Sequence, residues 1–152
     1  MNKFSRPKFK IQNAFFIFCI FNFAIFSFGC NIPNLEDAAC VEARQTVKEF
    51  YSLHFGGEMR FSPESLRTLE KFLTPEFAAS LPNSPIDADV FTVNSNDYPK
   101  AFRIGSCHAE SSNKTVFEVL LFWKTDERNE QRKIEIETVK RDKKWLINKI
   151  AN

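Results

Sequence analysis

The sequence predicts a single α+β domain, with N-terminal helices packed on one face of a curved, mostly antiparallel sheet of about four strands. Three observations lead to it. Helix start and stop signals are confined to residues 38–82, strand-like alternation runs from residue 101 to the end, and only short polar turns separate the strand-like runs. The longest run, residues 114–125 (KTVFEVLLFWKT), puts Phe117, Val119, Leu121 and Trp123 on one side and Val116, Leu120 and Phe122 on the other. Apolar residues on both sides place it in the middle of the sheet.

The first 29 residues stand apart from that domain. Four of the 21 basic residues, Lys3, Arg6, Lys8 and Lys10, precede an apolar run at residues 14–28, and no acidic residue occurs before Glu36. Nine of the 18 phenylalanines lie from Phe4 to Phe28, so they belong to an address and not to a core. A charged segment followed by an apolar one has the form of a secretory signal over residues 1–29. The run is shorter than the ~20 residues that span a bilayer, and an uncleaved anchor is the alternative.

Ser27-Phe28-Gly29-Cys30 resembles the lipobox of bacterial lipoproteins, which implies lipidation of Cys30 as the new N-terminus. Ordinary cleavage near Gly29, leaving Cys30 as a thiol and the protein secreted and soluble, is the other option. An unpaired cysteine in an exported chain favours lipidation. Residues 30–37, with Pro33 and no periodicity, then form a tether, and residues 38–152 form the domain. Without the leader the chain has 17 basic against 19 acidic residues and no basic cluster interleaved with aromatics, which argues against a nucleic-acid partner.

Within the domain, Glu36-Asp37 begin a helix over residues 38–55 that contains no Gly or Pro and stops at Gly56-Gly57. Cys40, Ala43, Val47, Phe50, Tyr51 and His54 form its buried stripe. Ser62-Pro63 caps a second helix reaching about Phe72, with Leu66, Leu69, Phe72 and Leu73 inward. Thr74-Pro75-Glu76 repeats the signal for a short third helix that ends before Pro82. A short strand is expected at residues 90–93 inside an otherwise loop-like stretch. Residues 101–109 read as a strand with Phe102 and Ile104 on one side and Arg103, Gly105 and Cys107 on the other. Strands at residues 133–141 and 144–150 complete a set of hairpins joined by residues 126–130 and by Asp142-Lys143.

Cys19 leaves with the leader and Cys30 is assigned to lipid, so Cys40 and Cys107 remain as a disulfide pair in an oxidising compartment. Zinc bound by Cys40, His54, Cys107 and His108 is disfavoured, because Cys40 and His54 would lie about 20 Å apart along one helix. No metal or other cofactor is implied. His54 and His108 are the only histidine bases, and none of GxSxG, HExxH or a glycine-rich phosphate loop occurs, so no catalytic residue is assigned. Asp87, Asp89 and Asp97 suit turn capping better than calcium. The candidate pocket comprises Tyr51, His54, Asp97, Tyr98, Arg103 and Trp123, with Trp145 beside them, and most of these aromatics are expected to fill core volume.

The order of elements, closing with Lys144-Trp145-Leu146-Ile147-Asn148-Lys149-Ile150, resembles the nuclear transport factor 2-like, cystatin-like cone superfamily. More narrowly, Val47, Phe50-Tyr51, Leu73-Thr74-Pro75, Asp87, Asn96-Asp97-Tyr98-Pro99, Phe102-Arg103-Ile104-Gly105 and the Trp145 segment resemble a bacterial exported family, domain of unknown function 3828. The likeness spans about residues 40–151. It implies a cone-like fold and carries no activity with it. The expectation is an exported envelope lipoprotein, held to a membrane by its lipid and facing the periplasm or the cell surface. Its domain would be a non-catalytic module for a small apolar ligand or an envelope protein. The rivals are a hydrolase or isomerase-like cone enzyme using His54, or Asp97 with Tyr98, and an inhibitor or immunity-type protein.

Overall fold

The computed structural model describes residues 35–151. The signal segment, Cys30 and the start of the tether lie outside the described residues. Helix α1, Ala38–Phe55, begins where the Asp37 carboxylate accepts the Ala39 N–H at 2.9 Å. It ends at Gly56, whose N–H donates to the Ser52 carbonyl at 3.2 Å, while the Gly57 N–H donates to the His54 carbonyl at 3.2 Å. Helix α2, Pro63–Leu69, starts in a reciprocal cap between Ser62 and Ser65, and a 3₁₀ turn, Glu70–Phe72, extends it. Helix α3, Pro75–Ser80, starts on the Thr74 hydroxyl, which accepts the Phe77 N–H at 3.2 Å. A proline at the first helical position costs no hydrogen bond there, which is why Pro63 and Pro75 open these helices.

Strands β1 (Ala101–Ser111), β2 (Lys114–Lys124), β3 (Asn129–Arg141) and β4 (Lys144–Ala151) form one antiparallel sheet in the order β1-β2-β3-β4. The helices lie toward one face of it. Phe117, Val119, Leu121 and Trp123 of β2, Ile134 and Ile136 of β3 and Trp145 and Ile147 of β4 are buried in one cluster with Ala43, Val47, Phe50 and Tyr51 of α1. The opposite side of β2, with Val116, Leu120 and Phe122, is only half-buried. Residue 147 also receives the chain after the 3₁₀ turn, since the Thr74 N–H donates to the Ile147 carbonyl at 2.9 Å. This contact fastens the α2–α3 junction to the edge strand.

Three expectations need correction. Residues 90–93 form a turn and not a strand, because the Asp89 carboxylate accepts the Phe91 N–H and the Thr92 hydroxyl and folds the chain back on itself. Strand β3 begins at Asn129 and not at residue 133, because Thr125 N–H donates to Arg128 at 2.8 Å and closes the hairpin early. Cys107 lies on the same side of β1 as Phe102 and Ile104. The β1–β2 register shifts between Ile104 and Cys107, so Ile104 opposes Val119 and Cys107 opposes Phe117, both inner-face residues. An extra residue in one strand of a pair reverses the alternation beyond it.

Gly105 sits in that bulge. A Cβ there would come within 3.2 Å of the Glu118 carbonyl oxygen, which β2 holds in place. Gly105→Ala is expected to lower stability by about 1 kcal/mol, read from the urea midpoint, because neither strand can retreat without losing ladder bonds. An unchanged midpoint would mean that the bulge relaxes freely. The β3–β4 turn takes positive φ at Asp142 (49°) and Lys143 (67°), the geometry that lets a two-residue hairpin follow strand twist.

Candidate functional site

The bulge brings Cys107 over the first turn of α1, where it bonds to Cys40 with a Cα–Cα distance of 5.9 Å. Arg44, one turn further along the helix, donates to the Gly105 carbonyl at 3.1 Å and pairs with Glu36. Helix and sheet are thus tied at this end by a covalent bond and by an arginine on the bulge. Among the described residues, no helix is long and apolar enough to cross a membrane.

At the other end of α1, His54 and Tyr51 point into the interior. The Tyr51 hydroxyl donates to the Phe91 carbonyl at 2.9 Å, and burial, then the nearby Asp89 charge, push its phenol well above the ordinary value. The Nε2 of His54 donates to Asp89, lying 3.0 and 2.9 Å from its two carboxylate oxygens. Asp89 is fully buried, and its carboxylate takes four contacts in all, two from the imidazole and two from the 90–93 turn. A buried carboxylate is tolerated when donors surround it in this way. Sequence reading treated Asp89 as a turn former and His54 as a residue of the helix stripe and of the candidate pocket. Their partnership across 35 positions had no local signal, although Asp89 with Thr92 three residues later does signal the turn.

The six candidate pocket residues separate into different surroundings. Tyr51 is core. His54 lines a small cavity of about 170 Å³ with Leu53, Gly57, Glu58, Ser65, Thr68 and Leu69. Arg103 is exposed on β1, opposite Leu120 of β2. Asp97, Tyr98 and Trp123 come together at a second cavity of about 260 Å³ with Lys100 and Arg128. There Asp97 receives two parallel bonds from Arg128, each 2.9 Å, and its carbonyl accepts the Trp123 indole N–H at 3.0 Å. Asp97 was expected to cap a turn, and its carboxylate instead meets Arg128, because the β2–β3 hairpin carries that side chain back over Trp123.

The Arg128 guanidinium beside Asp97 and Glu130 holds both carboxyls below their ordinary range, and Arg128 is raised in turn. A depressed carboxyl stabilises the fold fully above the unfolded-state pKa and loses that contribution as pH falls through its lower folded value. Acid titration of the parent chain is therefore expected to be steeper than that of Arg128→Gln in this window. The two chains should converge once both carboxyls are protonated. Parallel acid curves would show that the pair is fully screened by water.

A larger cleft of about 560 Å³ opens on the far side of Tyr98, lined by Phe55, Met59, Tyr98 and Pro99 with the charged side chains of Glu58, Arg60, Asp87 and Lys100. Arg60 pairs with Asp87 at 3.1 Å, and the Tyr98 hydroxyl lies 3.4 Å from the same carboxylate. Phe55, Met59, Arg60 and Lys100 escaped the sequence reading, because the cleft forms only where the end of α1 meets the chain entering β1. The two cavities share Tyr98 and Lys100, so they form neighbouring stations along the 96–100 segment.

No family model and no curated protein sequence matches the chain. Among solved structures it is similar to an Ntf2-like, potential transfer protein TraM from the Gram-positive conjugative plasmid pIP501, at 14% identity and a TM-score of 0.49, over 74% of this chain and 94% of that one. It is also similar to a protein of unknown function from Bacteroides thetaiotaomicron VPI-5482, at 18% identity and a TM-score of 0.47, over 76% and 95%.

Proposed function

We propose that this chain is an exported cell-envelope lipoprotein whose folded part is a non-catalytic binding module of the nuclear transport factor 2-like cone type. The narrower likeness to domain of unknown function 3828 belongs to the same proposal. The cleft around Tyr98 carries the reading. Its volume of about 560 Å³ falls within the range of small-molecule sites, and its floor of Phe55, Met59, Tyr98 and Pro99 suits a small apolar ligand or an apolar side chain of an envelope protein. Arg60 and Tyr98 both engage the Asp87 carboxylate there, which favours orientation of a ligand over acid–base chemistry by that group, and the Glu58 and Lys100 side chains complete the polar lining.

The Cys40–Cys107 bond supports an oxidising compartment beyond the inner membrane, and Cys30 would supply the lipid. Mass spectrometry of the protein from its native membrane tests both halves. The intact chain is expected to begin at an acylated Cys30 and to gain about two daltons on reduction, the mass of two hydrogens. Under native conditions it is expected to carry an apolar ligand or a bound envelope protein that Tyr98→Ala releases. A full-length unmodified mass with free thiols would overturn the address. A turnover lost on His54→Ala would replace the binding module by an enzyme.

A further inference from the structure

The four charged side chains of the cleft around Tyr98 divide into a neutral pair and two separate charges. The Phe61 N–H donates to the Ala88 carbonyl at 3.1 Å and the Ile86 N–H to the Phe61 carbonyl at 3.2 Å, so the two segments that bear Arg60 and Asp87 are joined through their backbones. Arg60 and Asp87 then pair at 3.1 Å and leave no net charge between them. The side chains of Glu58 and Lys100 line the same cleft and make no hydrogen bond or ion pair among the described residues. They are therefore too far apart to neutralise each other.

These two charges stand on different sides of the cleft. Glu58, with Gly57, also lines the cavity of about 170 Å³ that Leu53, Ser65 and Leu69 enclose between α1 and α2. Lys100, with Tyr98, also lines the cavity of about 260 Å³ beside Trp123, Thr125 and Arg128. Those two cavities have no lining residue in common. Phe55 and Met59 flank Glu58 in the lining, while Tyr98 and Pro99 precede Lys100, so apolar surface adjoins each charge. The Lys100 backbone is held where β1 begins, since its N–H donates to the Phe122 carbonyl at 2.7 Å. A surface of this kind is complementary to an apolar molecule with an ammonium at one end and a carboxylate at the other.

Resting on the binding function read from this cleft, we propose that its ligand is a short apolar peptide with both ends free, its α-ammonium toward Glu58 and its α-carboxylate toward Lys100. An ω-amino acid has the same charge pattern but offers only methylenes to the Arg60–Asp87 pair. The amides of a peptide can use the donors and lone pairs that the pair leaves over, because a guanidinium carries five N–H groups and a carboxylate about four acceptor positions. A zwitterionic lipid matches less well, since its headgroup carries both charges at one end of the molecule. A volume of about 560 Å³ suits a ligand of drug size, which for a peptide means a few residues.

The test uses the full chain with its disulfide intact and follows the backbone amides of Gly57 and Lys100 by ¹H–¹⁵N NMR. Trileucine with free ends is expected to bind saturably and to move both resonances. Acetylating its N-terminus should weaken binding about threefold, the worth of an exposed ion pair, and Glu58→Gln should abolish that difference. Amidating its C-terminus should have a similar effect, which Lys100→Gln should abolish. Both substitutions fall at exposed positions and leave the fold alone. Equal affinity for free and doubly blocked trileucine, or a blocking penalty that survives in the matching variant, would overturn the inference. If Tyr98→Ala then released both peptides, the cleft would remain an apolar binding site without end recognition. Binding of ω-aminooctanoate as tight as that of trileucine would overturn the peptide. Failure of every form to bind would overturn the inference as well, and the cleft reading would then rest on release of the native ligand by Tyr98→Ala.

Discussion

Replacing Cys40 and Cys107 together with serine is expected to lower the unfolding free energy by about 4 kcal/mol, the loop-closure entropy of a bond across 67 residues. For a domain of this size the melting temperature should fall by about 15 °C. The loop contains α1 beyond its first turn, both short helices and the irregular 82–100 stretch, so the reduced chain regains most of its freedom when unfolded. In the folded state, Cys40 is fully buried and a serine there adds a hydroxyl without an assigned partner. Urea unfolding of the double variant against the oxidised parent measures the difference. A loss below about 1 kcal/mol would mean that the Arg44 contact with the bulge and the apolar packing hold α1 without the bond.

Asp89→Ala is expected to cost about 3–5 kcal/mol, the range for removing one partner from a buried charged network. The loss is not confined to one contact. His54 Nε2, Phe91 N–H and the Thr92 hydroxyl all donate to this carboxylate, and each would be left facing an apolar interior packed by Phe50, Phe61 and Phe91. The turn at residues 90–93 would lose the group that folds it, and with it the carbonyl of Phe91 that receives Tyr51. His54→Ala should cost less, since the carboxylate keeps its two turn donors. A double-mutant cycle is expected to return a coupling of about 1–3 kcal/mol between His54 and Asp89. Additive single effects would show that the two residues act separately and that the imidazole only fills space.

The helices were legible because their signals are local. Ser62-Pro63 and Thr74-Pro75 each supply a cap and a first-turn proline, and the α1 stripe from Cys40 to His54 repeats at helical spacing. The central strand was legible for a related reason, since Phe117, Val119, Leu121 and Trp123 alternate without interruption. The candidate pocket was not. Tyr51, His54, Tyr98 and Trp123 are all large and half-polar, and the sequence has no means of separating a ring that fills the core from one that lines a cleft. Lys100 and Arg60 carry no pattern at all.

The residues alone determined the order of the helices and long strands and the α+β class. Tertiary structure decided which faces those elements present. The bulge at Gly105 and Ser106 turned Cys107 inward to meet Cys40, a reversal that strict alternation forbids. Packing of the 90–93 turn against α1 decided that His54 would meet Asp89, and return of the β2–β3 hairpin decided that Arg128 would hold Asp97. The reason is range. Capping, turn chemistry and periodicity act over a few residues, whereas one extra residue in a ladder, or a carboxylate 35 positions away, acts only once the sheet has brought distant segments into contact.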